Sequence, residues 1–185
     1  MTRARLETTG IESETVDDDL EPVGHVLMLD YDDVPLETAQ ADLETIRGPS
    51  VLVQSSPGSW HVYGLALRPF DDVVEQARET NASREYISEM DRRGAFTLRV
   101  SSKTTPAGEI ETPAPVPLAV TLTPTDEPID VSRPHTVRLR QLADEADVEP
   151  ATRALRAIET GAVDGLEPVG ERLPRSRYET RGGVQ

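Results

Sequence analysis

The chain has 185 residues and carries 34 acidic against 19 basic side chains, a formal charge of −15. That length suits one domain with tails, and the absence of cysteine excludes disulfides, thiolate zinc sites and cysteine nucleophiles. No stretch approaches the roughly 18 apolar residues of a membrane-spanning helix. The opening MTRARLETTG runs on into acid, not into an apolar segment, so a soluble, cytoplasmic chain without membrane contact is expected.

Residues 1–22, with ESETVDDDLEP, are acidic and lack hydrophobic periodicity, which predicts a solvated N-terminal tail. A single α+β domain is expected over 23–165, with its core at 24–104. HVLMLDY (25–31) is an apolar run ending in acid, short enough for a buried strand. Pro35 opens a helical stretch in which Leu36, Ala39, Leu43 and Ile46 share a face, and Gly48-Pro49 ends it. SVLVQSS (50–56) and WHVYGLAL (60–67) flank a Pro-Gly turn and predict a hairpin.

A helical region follows from Asp71 to about Arg93, broken near Asn81-Ala82-Ser83, with Ser83 or Asn81 capping its second half. AFTLRVSSK (95–103) alternates as a strand, with Thr97, Arg99, Ser101 and Lys103 on one face. Strand, helix, strand, strand, helix, strand is a ferredoxin-like (RRM-like) βαββαβ order, and both helical segments are expected on the face opposite the polar motifs. The proline-rich segment after residue 104 holds one strand at 117–123. It leads into helices at 133–147 and 150–161, a C-terminal strand and helical extension of the core. Residues 166–185 are read as a mobile tail.

Three motifs carry candidate chemistry. Asp30 and Asp32 lie two apart on a strand, so both project from one face about 6–7 Å apart. Paired carboxylates repel unless a divalent cation lies between them, which suits Mg²⁺ or Mn²⁺. Acid pairs are also common in this chain, as at Asp17-Asp18-Asp19 and Asp71-Asp72. In SSPGSWHVY, the hydroxyls of Ser55, Ser56 and Ser59 and the turn at Gly58 can accept a phosphate, with His61 on the adjoining strand; the alternative is an ordinary hairpin turn. In LRVSSK, the shared parity of Arg99, Ser101 and Lys103 offers two cations and a hydroxyl to a triphosphate, unless Arg99 serves an acid as ion-pair partner.

Lys103 is the only lysine in the chain. Heavy Asp/Glu loading with arginine as almost the sole cation resembles the proteins of salt-loving archaea, where short-range screening makes self-repulsion tolerable. An acidic balance ordinarily argues against nucleic acid. In molar salt it does not, so net charge leaves the partner open.

Together LMLDYD, SSPGSWH and LRVSSK resemble the catalytic module of the archaeo-eukaryotic primase superfamily, which includes replicative primase small subunits and the primase-polymerases of plasmids and viruses. The resemblance spans residues 24–104. It implies a nucleotidyltransferase of plasmid or virus replication, with Asp30 and Asp32 holding Mg²⁺ or Mn²⁺ and acting with His61 in catalysis. It implies nucleotide contacts from Ser55, Ser56, Gly58, Ser59, His61, Arg99, Ser101 and Lys103. The implied partners are a nucleoside triphosphate, a single-stranded DNA template, and a helicase or second replication subunit. The chain departs from the family in lacking a clearly placed third carboxylate; Glu109, Glu111 and Asp126 are the candidates. Two further readings stand beside it. One is a non-catalytic nucleic-acid-binding relative using Trp60 and Tyr63 for stacking; the other is a ferredoxin-like interaction module.

Overall fold

The computed structural model describes residues 10–100, 103–104, 108–111 and 114–170, with backbone alone at 103, 104 and 111. The protein is α+β. In chain order the elements are β1 (Gly10–Glu12), β2 (Glu14–Val16), β3 (Pro22–Asp32), α1 (Leu36–Thr45), β4 (Gly48–Ser56), β5 (Ser59–Arg68), α2 (Phe70–Arg78), α3 (Arg84–Arg93), β6 (Thr97–Arg99), β7 (Lys103–Thr104), β8 (Ile110–Glu111), β9 (Val116–Thr123), β10 (Ile129–Ser132), α4 (Arg133–Glu145), α5 (Glu149–Glu159) and β11 (Leu166–Val169).

The most apolar segments make the middle of the main sheet. β5 lies between β3 and β4, antiparallel to both, and β9 extends the sheet beyond β4. Central strands are covered on both faces, which is why VLML and VLV read as unbroken apolar runs. Val26 to Leu29 and Val51 to Val53 are all buried. The hairpin turn places Gly58 at φ +79°, a conformation that L side chains rarely adopt, and this is where the sequence supplies glycine.

Register assigns the faces. Met28 lies opposite Tyr63, Asp30 opposite His61 and Asp32 opposite Ser59, so these six share one side of the sheet. Tyr31, of opposite parity, donates its hydroxyl to Asp42 of α1 at 2.8 Å, which puts α1 on the other side. Asp42 also accepts from the backbone and side-chain nitrogens of Asn81, at 2.7 and 3.0 Å. That network ties α1 to the turn between α2 and α3. Ser83 in that turn caps α3 by accepting from the Tyr86 backbone, as expected, and its own N–H donates to the Asp30 carbonyl at 2.9 Å. The strand end that carries the acids is thereby held from behind and from its edge.

Several expectations are corrected. Residues 10–16 are not a solvated tail: Ile11, Glu12, Ser13 and Thr15 are buried, β1 pairs with β6, and β2 pairs with the start of β3. The acid-rich composition hid two short strands joined at Ser13, whose hydroxyl accepts from the Phe96 N–H at 3.0 Å and bonds the His25 ring at 3.0 Å. The strand expected over 95–103 is shorter, with β6 covering Thr97–Arg99 and β7 pairing separately with β8. The ladder partner of β6 is β1, where a four-stranded core would have used β3. Gly48-Pro49 opens β4 instead of closing α1, and Leu166–Val169 is not tail but β11, parallel to β10. Residues 1–9 and 171–185 lie outside the described residues.

The two C-terminal helices form where expected. They pack against each other and against β9, and Arg138 of α4 lies within electrostatic reach of Tyr63. Among the described residues, no helix is long and apolar enough to cross a membrane.

Candidate functional site

At one end of the sheet a cleft of about 220 Å³ is lined by Asp30, Asp32, Ser55, Ser56, Ser59, His61, Tyr86, Met90, Thr97, Leu98 and Arg99. The acids end β3, the serines flank the β4–β5 turn, and Arg99 arrives on β6. Of the residues predicted for the site, Gly58 is not among those lining this cleft, and Ser101 lies outside the described residues. Lys103 is in β7, whose backbone alone is described.

The two acids sit differently. Asp30 is partly enclosed, its side chain 24% exposed, and its Oδ1 faces His61 Nε2 at 3.4 Å. Asp32 is exposed and its Oδ1 accepts from the Ser59 hydroxyl at 3.0 Å. Among the described residues, neither carboxylate has a further hydrogen bond to its second oxygen. Asp30 also acts on its surroundings. The phenols of Tyr63 and Tyr86 are both raised, first by burial and then by the charge on Asp30, so both hydroxyls stay protonated across the working range.

The donor set fits a hard divalent cation. Two carboxylates and neighbouring hydroxyls are oxygen donors, and Mg²⁺ is commonly held by one or two carboxylates together with substrate phosphates. Among the described residues, no three His, Asp or Glu side chains cluster closely enough to hold an ion unaided. Of the third-carboxylate candidates, Glu109 is exposed, and Asp126 lines a separate cleft with Gly48, Pro49 and Leu166.

Neither stacking candidate is available at this face. Tyr63 is buried, and Trp60 has the parity of Tyr31 and donates its indole N–H to the Val34 carbonyl at 2.9 Å. Four lining residues, Tyr86, Met90, Thr97 and Leu98, were not expected from the sequence. Tyr86 and Met90 looked like an apolar helix stripe, yet α3 lies along the cleft instead of on the opposite face. Thr97 could have been found, since it shares the parity of Arg99.

The fold and cleft define an α+β protein with an acidic strand end, a hydroxyl-rich turn and an arginine around one hollow. Comparison with protein-family models, with curated proteins and with solved structures found no match for this chain.

Proposed function

We propose that this protein is a primase-like nucleotidyltransferase that joins nucleotides on a single-stranded DNA template, in replication of a plasmid or virus of a salt-loving archaeon. The observation that carries the proposal is the convergence of the three motifs: residues from β3, the β4–β5 turn and β6 line one cleft. The element order from β3 to β6, with β5 between β3 and β4, supports a ferredoxin-like βαββαβ core in which the N-terminal strand stands beside β6.

On this reading Asp30 and Asp32 supply the oxygen ligands for Mg²⁺ or Mn²⁺. Such an ion, when bound, would spread the phosphate charge and favour ionisation of the attacking hydroxyl. The hydroxyls of Ser55 and Ser56 donate to phosphate oxygens, while that of Ser59 stays on Asp32. Arg99 offers paired donors to the leaving pyrophosphate. The reaction forms a bond from a 3′-oxygen to the α-phosphorus, breaks the bond from that phosphorus to the β-bridging oxygen, and releases the hydroxyl proton to solvent.

A second reading, a nucleotide-binding relative that does not polymerise, draws on the protein partners that both carboxylates have in Ser59 and His61. Primer synthesis and Mn²⁺ titration in molar KCl separate the two. Replacing both Asp30 and Asp32 by alanine is expected to abolish synthesis and Mn²⁺ binding. The unfolding free energy without divalent ions should stay within about 0.5 kcal/mol, because removing neighbouring like charges offsets lost hydrogen bonds. A large loss of stability would show the acids to be structural. Nucleotide binding without synthesis by the intact protein would favour the second reading.

A further inference from the structure

We infer that His61 is a positioning residue for Asp30 and does not contact the phosphates of a nucleotide; this rests on the cleft being a metal–nucleotide site. The two residues lie directly opposite each other on adjacent strands, and Nε2 faces Asp30 Oδ1 at 3.4 Å. That separation is longer than a formed hydrogen bond. It is short enough for the ring and carboxylate to orient each other.

The rest of the ring is closed off. The His61 side chain is 8% exposed, and Nδ1 is buried with no hydrogen-bond partner among the described residues. Tyr63 meets the ring edge-on, with centroids 6.3 Å apart and planes at 73°. On the far strand Val53 is its cross-strand neighbour. The ring Nε2 is the nitrogen left as a polar outlet on the cleft side, and Asp30 faces it. Contact with a phosphate would require that outlet to turn away from the carboxylate, leaving both uncompensated near a low-dielectric wall. Groups that hold a metal-ligating carboxylate in place tune the affinity for the ion, commonly by 10- to 100-fold. His61 thus acts on the ion through Asp30, while Ser55, Ser56 and Arg99 meet the nucleotide.

Two binding measurements on the full chain in molar KCl test this. Mn²⁺ alone is titrated by electron paramagnetic resonance, and dATP alone by calorimetry in the presence of a chelator. His61→Phe is expected to weaken Mn²⁺ binding about tenfold and to leave metal-free dATP affinity within about twofold. His61→Gln, which restores an N–H donor and guards against misfolding of the phenylalanine variant, should recover part of the Mn²⁺ affinity. A loss of dATP affinity with Mn²⁺ binding intact overturns the inference, makes His61 a phosphate contact, and leaves the primase-like reading standing. Intact protein that binds neither probe overturns both.

Discussion

His135 offers a quantitative test of how the N-terminal strand is fastened to the domain. It sits near the start of α4, is 1% exposed, and places Nε2 2.6 Å from the Glu12 carbonyl. A carbonyl only accepts, so Nε2 carries the proton and Nδ1 accepts from the Ser132 hydroxyl, which also lies 2.8 Å from Thr15 Oγ1. The ring joins β1, β2 and α4, and it does so neutral. Burial, opposed by the Glu12 carbonyl and aided by the nearby His25, lowers its pKa from 6.5 to about 4.

The pH dependence follows from the sign of that shift. Between about pH 6.5 and 4 the unfolded chain takes up a proton on residue 135 that the folded chain refuses, so stability falls as pH falls through this window. Integrating the two titrations gives a loss of about 2 kcal/mol between pH 7 and pH 5, approaching about 3 kcal/mol near pH 4. The assay is denaturant unfolding of the intact protein and of His135→Gln at constant molar KCl. Carboxylates titrate in both, so their contribution cancels in the difference. The advantage of the intact protein over the variant should shrink by about 2 kcal/mol from pH 7 to pH 5. Parallel curves would refute the reasoning, as would an imidazole proton resonance of His135 that titrates near pH 6.5.

Asp42→Ala removes the acceptor shared by Tyr31 and Asn81. It is expected to cost about 3 kcal/mol by thermal or chemical unfolding, and Asp42→Asn clearly less; an equal cost would mean that the charge, and not the acceptor, matters. Arg99→Lys keeps the charge at the cleft but loses the planar fork. It should weaken dATP binding by about 1–3 kcal/mol in a calorimetric titration at the lowest salt that keeps the protein folded. Unchanged affinity would make Arg99 a surface or ion-paired residue.

The sequence by itself determined the elements whose apolar periods are long and whose ends are marked. The runs at 25–31, 50–56 and 60–67 became β3, β4 and β5, Ser83 capped α3, and the two C-terminal helices closed near their expected ends. Parity along a strand also sufficed to place Asp30 beside Asp32 and Arg99 beside Thr97, since successive side chains alternate whatever the strand packs against. Tertiary structure alone decided the rest. A strand of three or four residues such as β1 or β11 has too little local preference to declare itself, and it forms because a neighbouring edge is there to pair with. The acids in residues 10–16 concealed that pairing, which diverted β6 from β3 to β1. Whether a stripe such as Tyr86 and Met90 faces a core or a cleft depends on what stands opposite it, and that neighbour comes from residues distant in the chain. The same holds for His61: its strand position was legible in sequence, but its turn toward Asp30 was set by the register of β3 on β5 and by the closed surroundings of its second nitrogen.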